Sequence, residues 1–280
     1  MLLSPPDVTA AQASFTLWQL PEQTPSQMMS YVLRTGSGRL IVIDGGMQGD
    51  AQYLRGFLGA LGNKVEAWFI THPHVDHVSA LTDILGRPGN LKIARIYTSS
   101  LDEDWVRRNE PDALPTLQGF NAAVRDSHRS AIELTLGARL RFDNVLVEVL
   151  AVRNPEITGN AINNSCAVLR VSDGKKSVLF LGDLGVEGGR KLLNGKYRDR
   201  LRADYAQMAH HGQNGVTEDV YKAIAPSYCL WPTPLWLWDN DSGKGKGTGP
   251  WRTLEVRSWM DKLSIGKHYV TALDGLSRID

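Results

Sequence analysis

The chain has 280 residues, 31 Lys and Arg against 30 Asp and Glu, and 42% hydrophobic residues. That is the composition of a folded globular protein, and it excludes a disordered, collagen-like or coiled-coil chain. A net charge of +1 gives no global reason to bind nucleic acid or an anionic membrane, although it is compatible with a local basic patch. No window holds the 18 or so consecutive apolar residues of a transmembrane helix. The N-terminus, MLLSPPDVTAAQASF, has neither a basic start nor a long apolar stretch, so it does not read as a secretory signal. The two cysteines, Cys166 and Cys229, lie outside any metal-binding spacing and read as buried thiols, which makes the cytoplasm the simplest compartment.

In chain order, residues 29–34 and 39–44 are apolar, β-branched runs on either side of Thr35-Gly36-Ser37-Gly38, a hairpin signal. Residues 50–61 carry Tyr53, Leu54, Phe57, Leu58 and Leu61 at helical spacing. A short buried strand at 65–70 ends at Thr71, just ahead of a histidine cluster. Helix is expected at 78–85, strand at 93–97 and helix at 115–129, followed by short strands at 132–136, 139–142 and 145–150. A second hairpin joins 165–171 to 177–181 across Ser172-Asp173-Gly174-Lys175. Beyond it the pattern predicts helix at 186–193, strand at 205–209, helix at 218–224, strand at 228–231, helix at 252–263, strand at 269–272 and a turn at Asp274-Gly275. Strands and helices mix along the whole length without a linker, which predicts one α/β domain over 1–280. The glycine-rich stretch 239–250 contains Lys244 and Lys246, is flanked by Trp236, Trp238 and Trp251, and reads as a long mobile loop.

Three of the seven histidines fall in His72-Pro73-His74-Val75-Asp76-His77. Two more are adjacent, His210-His211, just before Gly212. Imidazoles and a carboxylate suit Zn²⁺, Mn²⁺ or Fe²⁺. Four donors on one short loop exceed what a tetrahedral ion takes from such a loop. The spacing therefore points to two neighbouring ions, with His72 and His74 on one and Asp76 and His77 on the other. Asp183, at the end of the strand at 177–181, is the candidate carboxylate between them, and His210 or His211 the distant imidazole. His128 and His268 read as ordinary surface or packing residues.

HPHVDH after an apolar strand resembles the signature of the metallo-β-lactamase superfamily. Ile41-Val42-Ile43-Asp44-Gly45-Gly46 looks like that superfamily's first motif, whose Asp, here Asp44, supports the metal loop without binding metal. Asp183 matches the bridging Asp and His210-His211-Gly212 the late His. More narrowly, Asn163-Asn164-Ser165, Phe180-Leu181-Gly182-Asp183, the run at 204–212 and Thr271-Ala272-Leu273-Asp274-Gly275 resemble the hydrolase domain of the competence protein ComEC, without its membrane portion. The resemblance implies a metallo-β-lactamase-like αββα four-layer sandwich with two divalent ions, Zn or Mn. It also implies a hydrolase in which a metal-bridging hydroxide attacks, with Asp76, Asp183 and His211 as catalytic residues.

Many superfamily members place a His between the first motif and the bridging Asp, where this chain has Asn163-Asn164-Ser165. An Asn oxygen or a water is the expected substitute at the His72/His74 site, favouring a harder ion such as Mn²⁺. ComEC-like domains usually have Ser after His-His-Gly, and this chain has Gln213-Asn214. Gln213, Asn214, Lys244, Lys246, Trp236 and Trp238 are the candidates to face substrate, with 239–250 as a lid over a phosphate-bearing or aromatic ligand. The expected substrate is a phosphodiester, in a small molecule or a nucleic acid. The alternatives are a lactone, ester or β-lactam, or a non-catalytic metal-binding regulatory role. No membrane partner is expected, and the oligomeric state is left open.

Overall fold

The computed structural model describes residues 14–280. Residues 1–13, most of the stretch read above as lacking a secretory signal, lie outside the described residues.

The strands are β1 (Thr16–Gln19), β2 (Ser30–Arg34), β3 (Leu40–Asp44), β4 (Lys64–Ile70), β5 (Lys92–Ile93), β6 (Ile96–Thr98), β7 (Ala131–Glu133), β8 (Arg139–Phe142), β9 (Val145–Ala151), β10 (Val168–Ser172), β11 (Ser177–Phe180), β12 (Tyr205–Gln207), β13 (Tyr228–Trp231), β14 (Lys267–Val270) and β15 (Ser277–Ile279). They form two sheets. One has the order β15-β1-β2-β3-β4-β6-β7, with β5 also paired to β4, and the other β14-β13-β12-β11-β10-β9-β8. The last strand thus leaves its neighbours in sequence and closes the first sheet against β1.

Period-two alternation sorts the side chains between faces. Tyr31, Leu33, Ile41, Ile43 and Phe69 point inward and meet Val147, Val149, Leu169 and Phe180 of the other sheet in one buried core. Their neighbours Val32, Val42 and Trp68 point outward, under helices Ala51–Ala60, Val75–Gly86 and Leu114–Asp126. Val168, Leu179, Ala206, Cys229 and Trp231 form the outer face of the second sheet, covered by helices Val186–Leu193, Glu218–Ile224 and Thr253–Lys262. The result is the αββα sandwich. Both faces of β3 and β4 are covered, which is why these parallel strands read as continuous apolar runs. Emptying the fully buried Trp68 to Ala would cost about 3–5 kcal/mol.

The parallel strands β3 and β4 of one sheet and β11, β12 and β13 of the other set the chemistry. In such open α/β arrangements the loops at the carboxyl ends of parallel strands are where functional groups gather. Those ends carry Asp44, Thr71 to His77, Asp183, His210 to Gly212 and Pro232.

Several boundaries differ from the sequence reading. The helix expected at 78–85 begins at Val75, inside the histidine motif, so Asp76 lies in its first turn, where the helix dipole favours a carboxylate. The strand expected at 93–97 is two short pieces, β5 and β6. The strand expected at 269–272 stops at Val270, because the chain turns helical over Thr271–Asp274. Helix Glu103–Asn109 has too short an apolar stripe to register as periodic; Asp102 caps it by accepting from the Trp105 amide. Among the described residues, no helix is long and apolar enough to cross a membrane.

Candidate metal centre

The centre is assembled from the backbone outward. Asp44 ends β3 in the left-handed region, at φ 56°, a conformation that Asp tolerates better than most residues. Its buried carboxylate accepts from the Thr71 amide at 2.8 Å, the Thr71 hydroxyl at 2.7 Å and His77 Nδ1 at 2.8 Å. Asp44 therefore fixes the turn after β4 and orients His77.

A buried glutamine holds Asp183 in place. Gln207 Oε1 accepts from the amides of Leu181 and Gly182, and its amide group donates to the carbonyls of Gly182 and Met208. The strand that leads to the late histidines thus clamps the turn that carries the carboxylate. His210, His211 and Gly212 all have positive φ (51°, 55° and 80°). Such a run costs about 1–3 kcal/mol per non-glycine residue and persists only where it is tied down. The ties are His210 N to the Gly182 carbonyl, Thr233 Oγ1 to the His211 carbonyl, and His211 Nδ1 to the Pro232 carbonyl at 2.8 Å. Gly212 is obligatory, since a Cβ there would lie 2.4 Å from the Trp231 ring.

These partners decide where each imidazole keeps its lone pair. His77 and His211 donate from Nδ1, to Asp44 and Pro232, so Nε2 is bare on both. His74 donates from Nε2 to Glu110 Oε1 at 2.7 Å, leaving Nδ1 bare. Thr71 Oγ1 gives its proton to Asp44 and accepts from His72 Nδ1 at 3.1 Å, leaving His72 Nε2 bare. The bare nitrogens converge on Asp76 and Asp183. His72 Nε2 is 3.1 Å from His74 Nδ1, His77 Nε2 is 3.3 Å from Asp183 Oδ2, and His211 Nε2 is 2.9 Å from Asp76 Oδ2 and 3.6 Å from Asp183 Oδ2.

Lone pair faces lone pair or carboxylate, an arrangement that repels unless a cation lies between. Among the described residues His77 Nε2, His211 Nε2 and Asp183 Oδ1 are buried without a hydrogen-bond partner. Ligand bonds of 2.0–2.1 Å in a tetrahedron set neighbouring donors about 3.3 Å apart, close to the spacings found. Two groups of donors lie within 4.8 Å of one another: Asp76, His77, Asp183 and His211, and His72, His74 and Asp183. The residues fit two divalent cations that share Asp183.

The electrostatics agree. Burial pulls the pKa of His72 well below its ordinary value, helped by the neighbouring His77 and His74. Burial acts the same way on His77, but Asp183, Asp76 and Asp44 outweigh it and hold its pKa well above the ordinary value. For Asp183, burial pushes upward, yet His77, His211 and His210 bring it well below the usual carboxylate range. Without metal, the carboxylates favour a proton on His77 Nε2, which stands in for the cation that would otherwise meet that lone pair. The pocket demands positive charge.

Some expected positions fall elsewhere. His210 stands outside both donor groups: its side chain is partly exposed, its Nδ1 faces the Asn214 carbonyl, and Nε2 is 3.7 Å from Asp183 Oδ2. Asn164 cannot substitute for the missing histidine, because its Oδ1 accepts from the Gly188 amide and its Nδ2 donates to the Gly159 carbonyl and Glu187. Asn163 remains, with Oδ1 buried and unpartnered and Nδ2 donating to Asn160. Trp238 is half-buried, packs edge-on against Trp231 with the Arg257 guanidinium 4.0 Å over its ring, and lines a cavity with Arg257, Asp261 and His268. Trp236 packs against Trp251, with ring centroids 4.8 Å apart and planes tilted by 60°. Lys246 pairs with Asp239, and Lys244 points to solvent. The loop at 239–250, expected to be mobile, closes on itself: Asp241 Oδ1 collects the amides of Gly243 and Gly245, and Gly247 and Gly249 donate to Asp239 and Asn240. It is tied to the histidine segment where the Arg252 amide donates to Asn214 Oδ1.

Sequence reasoning missed Glu110, Gln27 and Gln207. Glu110 caps helix Glu103–Asn109 and joins His74 to the Ile162 amide. Gln27 donates to Asp76 Oδ2 at 2.8 Å and accepts from the buried Gln213. No motif marks any of the three, and only the folded chain brings them to the histidines.

A family model for the metallo-beta-lactamase superfamily matches residues 24–226. The uncharacterized protein YcaI of Escherichia coli (strain K12) is 26% identical over 243 residues, which are 78% of this chain and 28% of that protein. This chain therefore spans little more than a quarter of that relative's length. In fold, the metallo-beta-lactamase fold protein YhfI of Bacillus subtilis superposes with a TM-score of 0.60 over 95% of this chain and 100% of its own, at 12% identity. A CmlA beta-hydroxylase mutant superposes with a TM-score of 0.54 over 95% of this chain and 53% of its own, at 14% identity. The chain belongs to the metallo-β-lactamase superfamily.

Proposed function

We propose that the chain hydrolyses phosphodiester bonds with two divalent ions, Zn or Mn, as a nuclease or phosphodiesterase of ComEC type. The observation that carries this reading is the convergence of bare nitrogens from His72, His74, His77 and His211 on the carboxylates of Asp76 and Asp183. Bound there, the ions would supply Lewis acidity and water acidified to a pKa of about 7.

The protein's own groups divide the remaining work. Asp183 would bridge the two ions, and Asp76, held by Gln27, would orient the attacking water. His210 has a bare Nε2 beside Asp183 and reaches solvent, so it can hold a proton on the substrate side. Asn163 is the candidate oxygen ligand at the His72/His74 site, which favours a hard ion such as Mn²⁺ there. The phosphodiester assignment rests on the Asn-Asn-Ser, Gly-Asp and His-His-Gly pattern. Cytoplasmic action rests on two buried, unpaired thiols, Cys166 and Cys229.

The test is a panel of bis-p-nitrophenyl phosphate, single-stranded DNA, nitrocefin and a homoserine lactone, each with Zn²⁺ and with Mn²⁺. The expected result is turnover of a phosphodiester that Asp183→Asn abolishes. Turnover confined to nitrocefin or the lactone, or no turnover of any substrate, would overturn it.

A further inference from the structure

At the opposite end of the first sheet, where β4 and β5 begin, lies a cavity of about 470 Å³ lined by Ser37, Gly38, Arg39, Lys64, Glu66 and Lys92, among others. The length of β4 sets it about 20 Å from the histidine loop.

Lys64 and Lys92 are register partners on adjacent parallel strands, and both line the cavity. Like charges opposed in this way destabilise a sheet. Among the described residues neither lysine has an ion-pair partner. The Arg34 guanidinium lies over Gly38, within 3.6 Å of where a Cβ would sit. Arg39 and Arg95 both reach Glu66, and the Arg129 guanidinium donates to the Ile93 carbonyl at the cavity wall. Asp143, the other nearby carboxylate, accepts from the Ser37 amide at 2.7 Å. Glu66 and Asp143 are thus engaged, and positive charge gathers here in a chain whose net charge is only +1.

We propose that this cavity is a second ligand site, separate from the metal centre, that holds adjacent phosphate groups. Lysine point charges beside arginine forks are the side chains that recognise phosphate oxygens, and the volume falls in the range of small-ligand sites. An anion between Lys64 and Lys92 removes the repulsion that the register imposes. The phosphates come either from a free nucleoside triphosphate or from the backbone of a nucleic acid strand. No residue of the cavity belongs to the metal centre, so the proposal stands whatever that centre hydrolyses.

The test uses the full chain in EDTA, so that no metal captures phosphate, and titrates tripolyphosphate, ATP and a fluorescein-labelled single-stranded DNA 12-mer. Wild type is expected to bind tripolyphosphate with salt-sensitive affinity and to gain thermal stability from it. K64E/K92E should weaken that binding at least tenfold, while the charge-matched control R108E/K262E should not. K64Q/K92Q gives the same comparison if the charge reversal fails to fold. Loss of ATP binding alone identifies the free nucleotide as the source, and loss of DNA binding identifies the strand. No tripolyphosphate binding by wild type up to about 5 mM, or equal affinity in wild type and both lysine variants, would overturn the proposal.

Discussion

His77 Nδ1 stands 2.8 Å from Asp44 Oδ2, with both side chains fully buried. Asp44 gives its other acceptor positions to Thr71, so one carboxylate sets both the turn after β4 and the face of the imidazole that looks into the centre.

Asp44→Asn keeps the size and suits the left-handed backbone, but its Nδ2 cannot accept from His77 or Thr71. Removing such an outer partner of a metal-binding His typically costs 10–100-fold in metal affinity. Titration of the metal-free variant with Zn²⁺ should show a loss of that order, with the near-UV circular dichroism unchanged. Wild-type affinity in the variant would mean that Asp44 does not orient a ligand.

His210 and His211 are adjacent in sequence and differ in role. His211→Asn removes a donor that faces Asp76, whereas His210→Asn leaves both donor groups intact. Asn tolerates positive φ, so neither change should unfold the turn. Metal analysis should show a loss of bound ion in His211→Asn and wild-type content in His210→Asn. The reverse pattern would exchange their assignments.

Glu110 orients His74 alone. Glu110→Ala frees that ring and should weaken the ion held by His72 and His74 at least tenfold, leaving the ion at Asp76, His77 and His211 in place. Two-step displacement of the metal by a chelator would reveal this as a shift in the first step only. A shift in both steps would show that Glu110 serves the whole centre.

The pKa directions set a pH dependence for the metal-free protein. His77 is held above its ordinary value of about 6.5, so its contribution to stability is present below that pH and lost as pH rises through the folded value. Asp183 is held below its ordinary value, so its contribution is present above about pH 4 and lost on acidification. Thermal melts in EDTA should therefore weaken on both the acid and the alkaline side. Binding of a divalent ion displaces the His77 proton, so metal affinity should rise with pH through the neutral range. Affinity flat between about pH 6 and 8 would count against proton displacement.

Much of this was legible before folding. The two hairpins and the helices Val186–Leu193 and Glu218–Ile224 follow from apolar periodicity bounded by glycine or polar turns. The histidine motif, Asp183 and His211 stand out because several chemically reactive residues sit at strand ends, and the chain brings those residues within 4.8 Å of one another in two groups. Glu110 and Gln27 were not legible, because their partners His74 and Asp76 are 36 and 49 residues away and no local pattern encodes such a contact. The loop at 239–250 reads as mobile from its glycines. Yet Asp241 and Asn240 supply acceptors that close it, an outcome that depends on side-chain direction rather than composition.

The most direct measurement is the number of divalent ions that the full chain binds. Protein stripped with chelator, reloaded with Zn²⁺ or Mn²⁺ at neutral pH and freed of excess should carry two ions per chain, and Asp183→Asn should carry fewer. Fewer than one ion retained by wild type, with no uptake when Zn²⁺ or Mn²⁺ is titrated in, would show that the convergence of His72, His74, His77 and His211 on Asp76 and Asp183 is not a metal site.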